Sequence, residues 1–264
     1  KGIPTAIQEQ NSFPGITNRL LANKVQLICA GFPGLDRWFP ADRIIETGNP
    51  LRENVTKIQT LDPDQKASAF AHFGFHGNRP VAFVMGGSLG AGSMNDAVLA
   101  IARKIEKQQK ALPYDLLWQC GARFQETMEK VLGAMDLPSE QRIVCVGFID
   151  RMDHAYSVAD VIASRAGAMS IAELALVGKP TLLIPSPVVA EDHQTKNARS
   201  LSDRGGALLI SDSEIVDRLE QELSQLFDDP KQQKSLTDAL KGSARPNAAK
   251  DVVTELEKLL MHSI

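Results

Sequence analysis

The chain has 264 residues, 43% of them hydrophobic, with 29 Lys and Arg against 32 Asp and Glu and a formal net charge of −3. This length allows one or two domains with real cores, and the charge argues against a protein that coats nucleic acid or binds membranes through a basic patch. No run approaches ~18 apolar residues and the first residues lack a signal-peptide pattern, so we expect neither a membrane span nor a leader.

Predicted strands and helices alternate along the chain. Short apolar runs predict strands at residues 5–8, 26–30, 81–85, 115–119, 142–146, 161–163, 181–184 and 207–210. Apolar residues three and four apart predict helices at residues 95–107, 123–132, 171–177, 193–203 and 247–260. The alternation is typical of βαβ units, and continuously apolar strands suit a sheet covered on both faces. We predict an α/β protein with a buried parallel sheet.

Two turns divide the chain. Residues 47–51 form a Gly/Asn/Pro turn after an early β/α segment, and a weaker break at residues 243–246 precedes the last helix. The first segment has too few strands for a doubly wound sheet. We predict the tail of a domain whose beginning is missing at residues 1–48, a main domain at residues 49–245, and a C-terminal helix at residues 246–264 that packs back on the first part.

The three cysteines are odd in number and lie in apolar runs without metal-ligand spacing: Cys29, Cys120 and Cys145. We expect reduced core thiols in a cytosolic protein.

The sharpest local feature is the glycine loop, residues 86–91, between the strand at 81–85 and a helix that opens near Ser93. Glycines let the backbone approach a ligand, and a helix N-terminus presents free N–H groups to an anion. The loop residues predicted to hold a phosphate or pyrophosphate are Gly86, Gly87, Ser88 and Gly90. The loop matches neither a P-loop nor G-x-G-x-x-G, and a tight turn without a ligand is the alternative.

The same loop satisfies G-x-S-x-G, the nucleophile elbow of α/β-hydrolases, with Ser88 as nucleophile. Asp160 and His193 follow in the required order. Against this alternative, no oxyanion loop of the HGGG type precedes the elbow, and His193 begins a predicted helix.

A second small-residue turn, residues 164–170, follows the strand at 161–163 and leads to Glu173. A carboxylate there can accept hydrogen bonds from a diol such as ribose. The alternative is a solvated acid in the first turn of its helix.

Two further turns follow predicted strands. Residues 146–152 offer backbone groups that can contact a base edge, and residues 191–198 hold amides and carboxylates of the kind that bind sugar hydroxyls. For His193 and Gln194, helix capping and surface solvation are the alternative. All these turns follow the carboxyl ends of strands, where open α/β sheets bind ligands.

Five motifs together closely resemble the MurG family of bacterial glycosyltransferases, in glycosyltransferase family 28. They lie at residues 8–11, 47–52, 86–91, 165–168 and 192–198. The resemblance implies a GT-B fold, here a Rossmann-like donor domain at residues 49–245 and the remnant of an acceptor domain at residues 1–48. It implies inverting transfer of N-acetylglucosamine from UDP-GlcNAc to the C4 hydroxyl of the muramoyl sugar of lipid I, which forms lipid II for peptidoglycan. It implies no cofactor, no metal and a peripheral location on the cytoplasmic face of the membrane.

The resemblance also assigns donor-binding residues. Asn11 and Gln194 are expected to meet the donor sugar, and Arg52 and Ser88 to lie near it and the pyrophosphate. Ile149 is expected to contact uracil through its main chain. The segment expected to line the donor is Ala168, Met169, Ser170, Ile171, Ala172 and Glu173, in which Glu173 holds the ribose.

The catalytic base is unassigned. The family's Gly-rich loop with an acid/base His, and its membrane-facing apolar patch, are not among these residues, so we expect donor binding without transfer by this stretch of chain. Gln8 stands where many members have His, which weakens any proton-transfer role there. A UDP-GlcNAc 2-epimerase and a non-catalytic nucleotide-sugar binding module are the alternatives.

Overall fold

The computed structural model describes residues 2–58 and 62–261. The strands are β1 (Ala6–Glu9), β2 (Leu27–Ala30), β3 (Ile44–Glu46), β4 (Val81–Met85), β5 (Asp115–Gln119), β6 (Ile143–Val146), β7 (Val161–Ser164), β8 (Thr181–Leu183) and β9 (Leu208–Leu209). The helices are α1 (Ile16–Leu21), α2 (Glu53–Thr56), α3 (Pro63–His72), α4 (Gly92–Gln108), α5 (Gln125–Gly133), α6 (Met152–Val158), α7 (Ala168–Val177), α8 (His193–Ser202), α9 (Ile215–Asp228), α10 (Pro230–Lys241) and α11 (Ala248–Met261).

The larger sheet has the order β6-β5-β4-β7-β8-β9, and each neighbouring pair is parallel. The chain adds β5 and β6 on one side of β4, then returns to add β7, β8 and β9 on the other. This is the order of a doubly wound, Rossmann-like fold, and its switch point lies between β4 and β7. The α/β class predicted from the alternating pattern is confirmed.

Both faces of this sheet are buried, and β4 shows why its sequence is continuously apolar. Val81, Phe83 and Met85 pack into the core that contains α3, α6 and α7. Ala82 and Val84 pack into the core on the opposite face, with α4 and α9. Alternate side chains of a strand point to opposite faces, so a strand covered on both faces needs an apolar residue at every position.

The smaller sheet has the order β1-β2-β3, also parallel, with Ile28 between Ile7 and Ile44. Helix α11 returns from the far end of the chain to contact β2. The turn at Gly48 has φ +81°, and a Cβ there would lie 2.5 Å from Cβ of Arg245. Only glycine therefore allows this close approach. The division of the chain at residues 48 and 245 stays a prediction.

The helices differ from the predicted ones mainly at their ends and in number. Helix α4 begins at Gly92 and α7 at Ala168, each three residues before the predicted start. Strand β3 and helices α1, α2, α3, α9 and α10 received no predicted range. Helix α10 begins at Pro230, where Asp229 Oδ1 accepts from two backbone N–H groups. Helix α6 was missed because it is buried on nearly every side, which removes the helical periodicity of apolar residues.

Candidate functional site

Two neighbouring clefts lie beyond the carboxyl ends of the central strands. The glycine-loop cleft has a volume of about 1150 Å³ and is lined by residues 86–93, Arg123, Arg165, Gly167, Ser170, residues 186–188, Gln194 and Asp212. The Glu173 cleft has a volume of about 670 Å³ and is lined by Arg52, Met85, Gly87, Ser88, Gln119, Phe148, Ile149, Met152, Met169, Ser170 and Glu173. Both therefore open at the switch point, where doubly wound sheets bind ligands.

The glycine loop packs directly against the end of β5. Gly90 has φ +71°, and a Cβ on it would lie 2.1 Å from the carbonyl oxygen of Cys120. That same oxygen accepts from Nδ2 of the buried Asn95 at 3.1 Å, and Trp118 Nε1 donates to Asn95 Oδ1 at 3.0 Å. The loop is thus held in one shape, with the first N–H groups of α4 at the cleft.

A second helix N-terminus faces the same cleft. Gly167 precedes α7 in an extended conformation and makes no side-chain cap. The Gln194 side chain holds the segment before it, because Gln194 Oε1 accepts from Ala166 N at 3.2 Å and from Ser186 N at 2.9 Å. Because two backbone N–H groups donate to the amide oxygen of Gln194, the orientation of the amide is fixed. Its NH₂ group remains as a hydrogen-bond donor suited to sugar hydroxyls.

Glu173 is buried at the bottom of the second cleft, with only 8% of its surface exposed. Its Oε2 accepts from the Tyr156 hydroxyl at 2.7 Å, and its Oε1 lies 3.4 Å from Nη2 of Arg52. Because α7 begins at Ala168, Glu173 lies in its second turn. The alternative of a solvated first-turn acid is therefore wrong.

A partly buried cation, Arg165, lies beside the N-terminus of α4. Arg165 Nη1 is 2.5 Å from Asp212 Oδ1, and Arg165 Nη2 donates to Ser93 Oγ at 2.7 Å. Asp212 neutralises this guanidinium, so positive potential for an anion in the cleft comes from the two helix N-termini and from Arg123 at its edge. Arg165 belongs to the family motif at residues 165–168, which assigned it no role of its own.

Asn11 lies on a bridge between the two sheets. Its Oδ1 accepts from Asn197 Nδ2 at 3.1 Å, and Asn197 Oδ1 accepts from both the backbone N and the Oγ of Ser12 at 2.9 Å. The buried Glu9 carboxylate accepts from Asn11 N at 2.9 Å. Asn197 belongs to the family motif at residues 192–198, which assigned it no role, and only the folded chain shows its position between the sheets.

Ile149 is buried, while Phe148 beside it is 54% exposed. Both line the Glu173 cleft together with Gln119. The Oε1 atom of Gln119 is buried and has no hydrogen-bond partner among the described residues. A buried acceptor without a partner is unusual, and this one belongs to the wall where the base edge is expected. Sequence spacing gave no signal for Gln119.

The clefts bring together most of the predicted donor-binding residues. Those that line one or both are Gly86, Gly87, Ser88, Gly90, Arg52, Ile149, Met169, Ser170, Glu173 and Gln194. Asn11 lines a separate cleft with residues 8–10 and 15–18. Ile171 and Ala172 line another cavity beside Gly48, and Ala168 is buried in the core. The side chains of these last three face away from the paired clefts, and their predicted roles remain predictions.

The hydrolase alternative fails on geometry. Ser88 lies beyond the carboxyl end of β4, whereas Asp160 Oδ2 accepts from Val81 N at the amino end of that strand. The five residues of β4 span about 16 Å at roughly 3.3 Å per residue. His193 pairs instead with Glu191, at 3.5 Å. A triad of Ser88, His193 and Asp160 cannot form, so this alternative is wrong.

Within residues 2–58 and 62–261, no group of three or more His, Cys, Asp or Glu side chains could hold a metal ion. The three cysteines are free, and burial raises the pKa of the Cys29, Cys120 and Cys145 thiols. No helix in the part of the chain that the structure describes is long and apolar enough to cross a membrane.

Known proteins match this chain along almost its whole length. One relative, from Flavobacterium psychrophilum, is 39% identical over 259 residues, 98% of this chain and 67% of its own. Another, from Porphyromonas gingivalis, is 42% identical over 262 residues, 99% of this chain and 66% of its own. Both carry the name UDP-N-acetylglucosamine--N-acetylmuramyl-(pentapeptide) pyrophosphoryl-undecaprenol N-acetylglucosamine transferase. The chain thus spans about two thirds of the length of these relatives.

A solved structure and a family model agree with these matches. The crystal structure of Acinetobacter baumannii MurG is similar with a TM-score of 0.72 and 28% identity, over 97% of this chain and 67% of that one. The model of the glycosyltransferase family 28 C-terminal domain matches residues 81–252, which include the whole six-stranded sheet and both clefts except for Arg52. The chain belongs to glycosyltransferase family 28.

Proposed function

We propose that this chain binds UDP-N-acetylglucosamine as the donor half of a transferase that converts lipid I to lipid II in peptidoglycan synthesis. One observation carries the proposal: the glycine loop, two helix N-termini and the buried Glu173 carboxylate meet at the switch point between β4 and β7. A nucleotide sugar needs an anion site beside a diol site, and this arrangement provides both. The family relatives bear the name of that transferase.

The donor is proposed to lie across both clefts. Its pyrophosphate lies on the glycine loop at the N-terminus of α4, and its ribose hydroxyls donate to Glu173. Its uracil contacts the main chain at Ile149, beside the unpaired Gln119 oxygen. The sugar then extends toward the NH₂ group of Gln194 and toward Asn11, which are held by the contacts described above.

Transfer requires the acceptor C4 hydroxyl to attack the anomeric carbon on the face opposite the departing UDP. The bond from that carbon to the β-phosphate oxygen breaks as the new glycosidic bond forms, so negative charge grows on UDP. The N-termini of α4 and α7, with Arg52 at the cleft mouth, are already oriented before the reaction begins. They can therefore stabilise the growing charge without rearranging. A general base must take the hydroxyl proton, and we assign that role to none of these residues.

The location follows from the proposed acceptor. Lipid I is a membrane lipid whose sugar lies on the cytoplasmic side, so we place the protein at that face as a peripheral protein. Its proposed partners are UDP-GlcNAc and lipid I. We propose no nucleic-acid partner.

Incorporation of radiolabelled N-acetylglucosamine into lipid I in detergent tests the proposal, with the Porphyromonas gingivalis relative as positive control. The assay is run with this chain and with a chimera in which this chain replaces the matching part of the Porphyromonas gingivalis relative. Donor binding by this chain together with label in lipid II from the chimera supports the transferase. Formation of the 2-epimer of the donor without lipid I indicates an epimerase. Donor binding without either product in both proteins indicates a binding module, and absence of donor binding overturns the proposal.

A further inference from the structure

Tyr156 lies directly beneath the Glu173 cleft and belongs to no motif found in the sequence. It is on α6, has no exposed surface, and its ring packs edge-on against Phe83 with 6.0 Å between ring centroids. The strand and helix around it are core elements. A ring packed in this way has little freedom to move, so the position of its hydroxyl is set by the fold.

The Tyr156 hydroxyl has one good acceptor. It donates to Glu173 Oε2 at 2.7 Å, whereas its other neighbour, Met85 Sδ, lies at 3.8 Å and is a weak acceptor. Burial first, and then the negative charge of Glu173, raise the pKa of Tyr156 well above its usual value. The phenol therefore keeps its proton and acts as a donor to the carboxylate.

This bond gives the two carboxylate oxygens of Glu173 different partners. Oε2 accepts from Tyr156, and Oε1 is left for the cleft, where among the described residues only Arg52 approaches it, at 3.4 Å. The Arg52 side chain is 56% exposed, so this contact is long and open to solvent. A carboxylate otherwise rotates freely about its last torsion, and a freed Glu173 could turn both oxygens toward the Arg52 guanidinium.

We propose that Tyr156 is a positioning residue for ribose recognition: its hydroxyl fixes Glu173 so that Oε1 stays directed at the hydroxyls of a ribonucleoside diphosphate. The inference rests on the proposed function, because it assumes that Glu173 meets the ribose. The inference identifies Tyr156 as the group that makes the carboxylate selective for a ribose over a sugar that lacks the 2′ and 3′ hydroxyls.

Calorimetry with UDP and with 2′,3′-dideoxyuridine diphosphate tests this inference on the whole chain. The second ligand lacks both ribose hydroxyls, so the ratio of the two affinities measures what the hydroxyls contribute. In Tyr156→Phe we expect UDP to bind about 3- to 10-fold more weakly, the size of one ordinary hydrogen bond, because Glu173 is no longer held toward the ribose. The dideoxy ligand is expected to bind as before. The ratio therefore falls.

Tyr114→Phe is a matched control. Tyr114 is also fully buried, but its hydroxyl lies 3.3 Å from Ser224 Oγ, on the opposite face of the sheet. A merely structural loss of a buried hydroxyl lowers the melting temperature in both variants and leaves the affinity ratio unchanged. An unchanged ratio in Tyr156→Phe overturns the inference while the donor site stands. A wild-type chain that binds both ligands equally overturns the Glu173–ribose contact, and the inference with it.

A second measurement keeps the Tyr156 hydroxyl in place. The chain has two tyrosines, so 3-fluorotyrosine incorporated into Tyr114→Phe labels Tyr156 alone. We expect saturating UDP to shift the fluorine resonance and the dideoxy ligand to shift it much less, because only UDP places hydroxyls on the carboxylate that Tyr156 holds. Equal shifts with the two ligands would count against the inference even if Tyr156→Phe failed to fold.

Discussion

Glu173 is the single side chain on which the nucleotide site depends most. Glu173→Gln keeps the volume and still leaves an oxygen for Tyr156, but it removes the charge that strengthens hydrogen bonds from hydroxyls. We expect UDP affinity to fall by about 10-fold or more, corresponding to ~1.5–3 kcal/mol for a bond to a charged group, with little change in melting temperature. Calorimetry measures the affinity.

Asp217→Asn controls for the loss of one charge, since Asp217 is an exposed acid in the first turn of α9. If Glu173→Gln and Asp217→Asn both bind UDP like the wild type, Glu173 does not contact the ribose.

His154 gives the fold a dependence on pH that is separate from the donor site. Burial first, then the charge of Arg151, lowers the pKa of His154 below its usual value of 6.5, against a raising effect of Asp153. Its Nδ1 is buried without a partner among the described residues. The unfolded chain therefore binds a proton more readily, and stability present above about pH 6.5 falls as the pH decreases toward the folded pKa.

Urea denaturation at about pH 7.5 and about pH 5.5, on either side of the histidine pKa, checks this. The wild type is expected to lose more stability between the two than His154→Gln does. The pKa of Asp153 is lowered by Arg151, so that carboxylate stays charged across the interval. Equal losses in both proteins would remove His154 as the cause.

At the scale of elements, the turn from β4 into α4 tolerates no side chain at Gly90. Gly90→Ala places a Cβ against the Cys120 carbonyl, at 2.1 Å if nothing moves, and it requires a left-handed residue at φ +71°. The left-handed conformation alone costs about 1–2 kcal/mol. We expect a lower melting temperature and loss of most UDP affinity, because the loop must shift away from β5.

Gly133→Ala is the control for Gly90→Ala. Gly133 is the last residue of α5, and a Cβ added there meets nothing within 4 Å. A Gly90→Ala chain that binds UDP as tightly as Gly133→Ala would show that the glycine loop does not hold the pyrophosphate.

Helix α8 contacts the segment after β1 through the buried Asn197 amide, in addition to the contacts of His193 and Lys196 with the Phe13 ring. Asn197→Ala removes the acceptor for Ser12 and the donor to Asn11, and leaves these polar groups without their partner. We expect the free energy of unfolding to fall by about 1–3 kcal/mol, with Arg199→Ala, an exposed change on the same helix, nearly neutral. Chemical denaturation measures both, and equal stability of the two variants would refute the bridge.

For the whole molecule, donor binding is expected to need no divalent cation. The negative charge of the pyrophosphate is met by the N-termini of α4 and α7 and by Arg52 and Arg123 at the clefts. Calorimetry in EDTA should give the same UDP affinity as calorimetry with added Mg²⁺. Binding that disappears on chelation would show that a metal carries part of that charge.

The sequence by itself determined the class of fold, the strands other than β3, and a group of the residues that line the paired clefts, among them Ser88 and Glu173. Apolar runs such as Val81–Met85 and glycines at strand ends are local signals, and a parallel sheet places the carboxyl ends of its strands on one edge. The resemblance of the motifs to the family then indicated which ligand to expect, UDP-GlcNAc. Helix ends were predicted less accurately than strands. The segment before α7, for example, is held by a hydrogen bond from Ala166 N to the side chain of Gln194, which is distant in the sequence.

Only the tertiary structure decided which side chains hold the site residues. Tyr156 reaches Glu173 across 17 positions, and Asn197 reaches Asn11 across 186. No periodicity encodes such pairs, because each depends on how two separate elements pack. Burial also separated Glu173 from an ordinary surface acid, and the strand between Asp160 and Ser88 excluded the hydrolase. Local pattern shows where a ligand can bind, and packing of distant segments determines which atoms remain free to bind it.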